Sequence, residues 1–184
     1  MSALVRQRMT SDEFLVWAME QPEGERYELV AGEVVAMSPA RVSHARVKHR
    51  IARSLEDAIA VADLRCEALP DGVSVEIAEG MVYEPDALVR CGDPAPGDTL
   101  KLSDPVIVVE VLSPSTRARD AGAKLEDYFR LPSVRHHLIV KTDSRSVIHH
   151  RKDAGGRIET HILRGGRLEL DPPGLAVEVE AFFA

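Results

Sequence analysis

The sequence predicts an α/β (α+β) protein: a mixed central sheet flanked by helices, with an N-terminal helix and a β-hairpin ahead of it. Three observations predict it. Apolar residues recur at three- and four-residue steps over residues 43–62, the period of a helix with one face on a core. Most other apolar runs are short and bounded by Pro, Gly, Asp or Ser, as strands are. The order of elements is helix, hairpin, helix, a run of strands, helix, three strands, which layers helices against a sheet.

Thr10-Ser11-Asp12-Glu13 ahead of Phe14, Leu15 and Trp17 starts the first helix, because hydroxyl and acid side chains cap free amides there. Pro22-Glu23-Gly24 stops it. RYELVAGEVVAM reads as a hairpin about Ala31-Gly32, and Ser38-Pro39 breaks it. Val47, Ile51, Leu55, Ile59 and Ala62 mark the long amphipathic helix. LRCEALP and GVSVEI are short strands around the turn Pro70-Asp71-Gly72. MVYEPDALVR reads as one further strand, bulged or at a sheet margin where Pro85 cannot donate to the ladder. A loop then leads into residues 106–112, apolar enough for a fully buried strand. A helix over about 117–131 and strands near 135–141, 146–151 and 157–163 complete the reading.

At 184 residues the chain is expected to be a single domain, 1–184, with its core over about 25–165. With 45% hydrophobic and 29% charged residues it has the composition of a soluble globular protein, and no apolar stretch approaches a membrane span. MSALVRQRMTSDEFLVW lacks an apolar signal core with a small-residue cleavage site, so a cytoplasmic location is expected. Cys66 and Cys91 are too few and too far apart in sequence for a disulfide framework or zinc knuckle, and are expected as buried thiols. The net charge of −7 opposes long-range attraction to nucleic acid. The basic cluster Arg41, Arg46, Lys48, His49, Arg50 and Arg53 is accounted for equally well as a solvated helix face.

Two carboxylates stand out. Glu110 ends the most apolar strand, and Asp86 follows Pro85 at a distance that allows a loop and a return strand, bringing both acids to one end of a sheet. Two like charges held together repel, so that one is protonated or a cation neutralises both, and neutralising them by mutation is expected to stabilise the metal-free protein or at worst leave its stability unchanged. A hard divalent ion such as magnesium is the usual partner of such a pair. Asp120, Lys124 and Tyr128 are spaced i, i+4, i+8 along one face of the following helix, so that Lys124 can reach back over Glu110.

YEPDALV, VVEVLSPSTRARDAGAKLEDYF and HLIV, with the earlier RYELVAGEVVAMSPARVSHARV, resemble the Uma-two family of restriction endonucleases, a branch of the PD-(D/E)XK nuclease superfamily. The likeness covers most of residues 10–165. It implies a restriction-endonuclease-like fold and magnesium-dependent cleavage of phosphodiester bonds in DNA, with manganese as an alternative ion. By the same resemblance Asp86 and Glu110 are metal ligands, with the backbone carbonyl of Val111 as a third, and Asp86, Glu110 and Lys124 are catalytic. The superfamily pattern of glutamate, any residue, lysine reads here Glu110-Val111-Leu112, so the resemblance implies that Lys124 substitutes in space for the missing lysine. Glu28, His44, Asp120 and Tyr128 match supporting positions. Similar nuclease domains pair to cut two strands, which implies a homodimer.

Taken singly, these residues have plainer accounts. Glu110 and Lys124 can be an ion pair pinning a helix to a strand, Asp86 a turn residue, Glu28 a solvent-facing strand residue and His44 a helix cap. Asp120 can be an acid at a helix start, Tyr128 packing, and His136-His137, His149-His150 and His161 surface residues. Two functions follow: a metal-dependent endonuclease, or a nuclease-fold binding or interaction protein that no longer cuts. The complete Asp86, Glu110 and Lys124 set favours the first.

Overall fold

The computed structural model describes residues 8–112 and 119–184, with the backbone alone for residues 119–121. Helix α1 (Ser11–Met19) starts in a capping box: Thr10 Oγ1 accepts from the Glu13 amide, and Glu13 Oε2 accepts from the Thr10 amide. Strands β1 (Tyr27–Val30) and β2 (Glu33–Ala36) form the predicted hairpin, with Ala31 and Gly32 both at positive φ, as a two-residue turn between twisted strands requires. Helix α2 (Val42–Val61) buries Val47, Ile51, Leu55 and Ile59, the face its periodicity marks.

There follow β3 (Cys66–Pro70), β4 (Ser74–Ala78), β5 (Met81–Tyr83), β6 (Ala87–Cys91), the two-residue β7 (Lys101–Leu102) and β8 (Ile107–Leu112). Helix α3 (Arg119–Tyr128) leads to β9 (His136–Lys141), β10 (Ser146–Lys152) and β11 (Ile158–Leu163). A last hairpin, β12 (Arg167–Leu170) and β13 (Leu175–Glu178), ends in a 3-10 turn, Val179–Phe182. The mixed α+β class is as the sequence predicts. Among the described residues no helix is long and apolar enough to cross a membrane.

The strands divide between a six-stranded central sheet, β11-β10-β9-β8-β6-β3, and a five-stranded sheet, β2-β1-β5-β4-β7. The central sheet is mixed: β8 and β9 run parallel across the α3 connection, and the other pairs are antiparallel. Residues 81–90 are therefore not one bulged strand. β5 lies in the smaller sheet and β6 in the central one, and Glu84-Pro85-Asp86 is the crossing.

Strand β8 is covered on both faces. Ile107, Val109 and Val111 join Ile51, Leu55, Leu138 and Val140 under α2, while Val108 joins Tyr83, Tyr128, Phe129 and Val134 on the α3 side. Its unbroken apolar run follows from this, since alternate residues face two different cores. The stretch after residue 163, which the sequence left without elements, supplies Leu168, Leu170, Leu175, Val177, Val179 and Phe182 to the α2-side core.

Two expectations are corrected. Cys66 and Cys91 are not free thiols: β3 and β6 pair in a register that sets them opposite, and they form a disulfide. Their separation of 25 residues carried no information once those strands paired. His136, His137, His149 and His150 are buried rather than superficial, because β9 and β10 are interior strands, and His161 alone of the five is exposed.

Candidate active site

The crossing between the sheets creates the site. Pro85 has no amide to donate, so pairing resumes at Asp86, whose N–H donates to the Val109 carbonyl at 2.9 Å. Continuing the register Leu88↔Val108, Ala87↔Val109 by one step brings Asp86 beside Glu110. Both are buried, at 6% and 9% exposure. The Asp86 carboxylate takes up the ladder where β6 ends, its Oδ2 accepting from the Val111 amide at 2.6 Å. Within a strand a residue's N–H and C=O point the same way, so the Val111 carbonyl faces this same edge.

Each acid carries a lysine. Lys124 Nζ donates to Glu110 Oε1 at 3.1 Å and to Glu28 Oε1 at 2.7 Å. One turn further along α3, the Tyr128 hydroxyl donates to the same Glu110 oxygen at 2.8 Å. Glu28, buried on β1, also accepts from the Glu84 amide at 3.0 Å. Lys124 lies 5.3 Å from the centre of the Tyr83 ring, and the Tyr83 hydroxyl donates to Asp127 at 2.7 Å.

On the other side Lys48 Nζ sits 2.5 Å from Asp86 Oδ1 and 3.2 Å from Asp71 Oδ2. His44 Nε2 stands 3.7 Å from Asp86 Oδ2, beyond hydrogen-bond range. Arg26 continues the line by bridging Asp71 and Glu84. A cleft of about 560 Å³ between the β1–β2 hairpin and α2, lined in part by Arg26, Met37, Pro39 and Lys48, opens beside these groups.

The two acids respond differently. Burial raises the Glu110 pKa, Lys124 opposes it, Asp86 and Glu28 add to it, and the result is about 7. Burial also works against charge on Asp86, but His44, Lys48 and the Val111 amide outweigh it and hold the pKa below its usual value. Lys124 stays protonated: burial favours its neutral form, and Glu110 and Glu28 prevail. Burial and Glu110 raise the pKa of Tyr128, which keeps its proton for the hydrogen bond.

Of the residues singled out in sequence, Glu28, His44, Asp86, Glu110, Lys124 and Tyr128 converge here. The Asp120 side chain lies outside the described residues, as does the Ser113-Pro114-Ser115-Thr116 segment. Lys48 was missed. It was read with its basic neighbours as solvated, yet it is 8% exposed. The available signal was its i+4 spacing from His44, which puts both on one helix face.

Among the described residues no cluster of three or more His, Cys, Asp or Glu side chains forms a ready metal cage. The donor chemistry nevertheless fits a hard divalent ion, which one or two carboxylates hold while water and substrate complete its shell. Asp86, Glu110 and Glu28 face the ammonium groups of Lys48 and Lys124, and Lys48 is shared with Asp71.

A solved structure titled "a putative nuclease belonging to DUF820", from Anabaena variabilis, superposes with a TM-score of 0.75 over 95% of this chain and 97% of its own, at 15% identity. That likeness establishes the fold. Two uncharacterized Synechocystis proteins are similar in sequence. One, slr1290, is 28% identical over 96% of this chain and 92% of its own length, and the other, sll1609, is 26% identical over 78% and 81%. The family model described as "Putative restriction endonuclease" matches residues 11–182, a span holding every residue of the site, and so the chain belongs to the Uma2 family.

Proposed function

We propose that this protein is a magnesium-dependent endonuclease that hydrolyses phosphodiester bonds of DNA. One observation carries the reading: Asp86 and Glu110 lie side by side at the end of paired strands, each buried and each held by a lysine from a different helix. Two buried acids, the buried Lys48 and the partly buried Lys124 cost desolvation, and a purely structural role has better solutions, since apolar replacements of such networks are often as stable.

Asp86, Glu110 and the Val111 carbonyl would hold the cation. When bound, a divalent ion lowers the pKa of a water and offsets charge on the phosphoryl group. The chain's own groups do the rest. Lys48 and the Val111 amide fix the Asp86 carboxylate, and Tyr128 fixes that of Glu110. Lys124, kept charged by Glu28 and Glu110, is a preorganised cation for charge that gathers on the phosphate. Cleavage of both strands of a duplex would call for two copies of the domain.

The test is to titrate purified protein with magnesium or manganese in the presence of plasmid, duplex and single-stranded DNA. Metal-dependent cleavage, lost in Asp86→Asn and Glu110→Gln together with metal affinity, is expected. If both variants bind metal and cut like the wild type, the assignment is wrong.

A further inference from the structure

On the side of α2 away from the hairpin cleft lies a recess of about 250 Å³ lined by Ser43, Arg46, Val47, Arg50, Thr142 and Arg145, with Phe183 beside them. Three arginines line it in a chain of net charge −7. Several arginines elsewhere are paired, Arg90 with Glu67 and Asp104, Arg65 with Asp93 and Arg157 with Asp153. Among the described residues Arg46, Arg50 and Arg145 form no ion pair. Three arginines lining one recess without a carboxylate partner leave positive charge there that an anion would offset.

The recess is also built. Arg145 occupies the β9–β10 turn at positive φ, donates to the Phe183 carbonyl at 3.1 Å and lies over the Phe183 ring at 5.7 Å, which fixes where its guanidinium is carried. Thr142 is anchored through the Leu112 carbonyl, which its amide and hydroxyl both contact. Ser43, Arg46, Val47 and Arg50 fall on one flank of α2 at three- and four-residue steps.

Its position ties it to the acid pair. Leu112 is two residues beyond Glu110, and β9 lies one strand spacing, about 4.8 Å, from β8. The same two turns of α2 send His44 and Lys48 to Asp86. A nucleic acid whose scissile group reaches the acids carries one charge per about 1.7 Å of duplex axis, so neighbouring phosphates fall within reach of this end of the sheet. Resting on the nuclease reading above, we infer that Arg46, Arg50 and Arg145 form a subsite for a backbone phosphate flanking the bond to be cut. The acidic chain thus holds its polyanion through a local contact rather than a general field.

The experiment measures binding of a fluorescent DNA duplex to the full-length Glu110→Gln protein in chelator, across a range of salt, so that cleavage does not enter. Each lost phosphate contact lowers the slope of log affinity against log salt by about 0.9. Because the three arginines share one phosphate, the triple variant Arg46→Gln/Arg50→Gln/Arg145→Gln is expected to lower it by about one such step and to weaken binding at least about tenfold at fixed salt. Arg167→Gln, on β12 and paired with Glu169, changes net charge as much as any one of these substitutions and is expected to leave both unchanged. Thermal melts confirm folding of each variant. Binding by the parent with slope and affinity retained in the triple variant would overturn the subsite alone, as would an equal loss in Arg167→Gln. A parent that binds no DNA would overturn the subsite and the nuclease reading together.

Discussion

At the scale of single residues, the two acids are chemically unlike. The folded pKa of Glu110, about 7, stands above the ordinary 4.5, so the folded protein holds this proton more tightly than the unfolded chain. Stability from this group is therefore complete below about pH 4.5 and declines as pH rises through 7, by on the order of 3 kcal/mol at most. In chelator, Glu110→Gln is expected to match the wild type in urea melts at pH 5 and exceed it at pH 8. An unchanged pH profile would show that Glu110 is ionised throughout. Asp86 has the opposite sign. Its depressed pKa contributes stability above the unfolded value that is lost as pH falls through the folded one. Asp86→Asn should therefore destabilise the metal-free protein, by about 1–3 kcal/mol, because it leaves Lys48 and the Val111 amide without their carboxylate and Asp71 covers only part of the loss. Denaturant melts in chelator measure this. The sequence led to the opposite expectation for Asp86: two acids in proximity could be read from spacing, but not the buried lysine between Asp86 and Asp71. Lys48 looks like its solvated neighbours until α2 is placed against the strands.

At the scale of elements, what was legible was what is local. The period of α2, the cap of α1 and the turn between β1 and β2 are written in adjacent residues and appear as read. So does the i, i+4 pair Lys124 and Tyr128, which α3 delivers to a single oxygen of Glu110. What was not legible is partnership. MVYEPDALVR is continuous in its apolar character, yet its halves join different sheets, and no local property distinguishes a bulge from a change of sheet. The helix-borne lysine gives the sharpest test at this scale. Lys124→Ala is expected to cut turnover by about 100-fold or more while changing metal affinity little, the mark of a group acting on transition-state charge. Leu112→Lys combined with Lys124→Ala returns the lysine to β8. Recovery of part of the lost turnover would show that the two positions serve one site, and no recovery with metal affinity intact would show that they do not.

At the scale of the whole molecule, the C-terminal hairpin is part of the main core rather than an appendage. Leu168, Leu170, Leu175, Val177, Val179 and Phe182 pack with α2 and the central sheet, and burying each such side chain is worth about 1.5–3 kcal/mol. Together they are comparable to the whole of the about 5–15 kcal/mol by which domains are stable. A chain ending at residue 163 is therefore expected to lose cooperative unfolding and become protease-sensitive, and a sharp thermal transition in that truncation would refute this. The short alternation in RLEL and LAVE is too brief to have shown in sequence which core those strands serve. Nor could the disulfide be read, since Cys66 and Cys91 meet only through the β3–β6 register. The clasp that Lys124 makes between Glu28 and Glu110 has a consequence of another kind. Glu28 comes from the smaller sheet, Glu110 from the central sheet and Lys124 from α3, so the three meet only after separately formed parts have docked. A ribosome that has made the first 130 residues has already made every acid and lysine of the site, but not the hairpin that closes the core beneath them. On the nuclease reading, the half-made enzyme is disarmed by its own incompleteness until the last strand is in place.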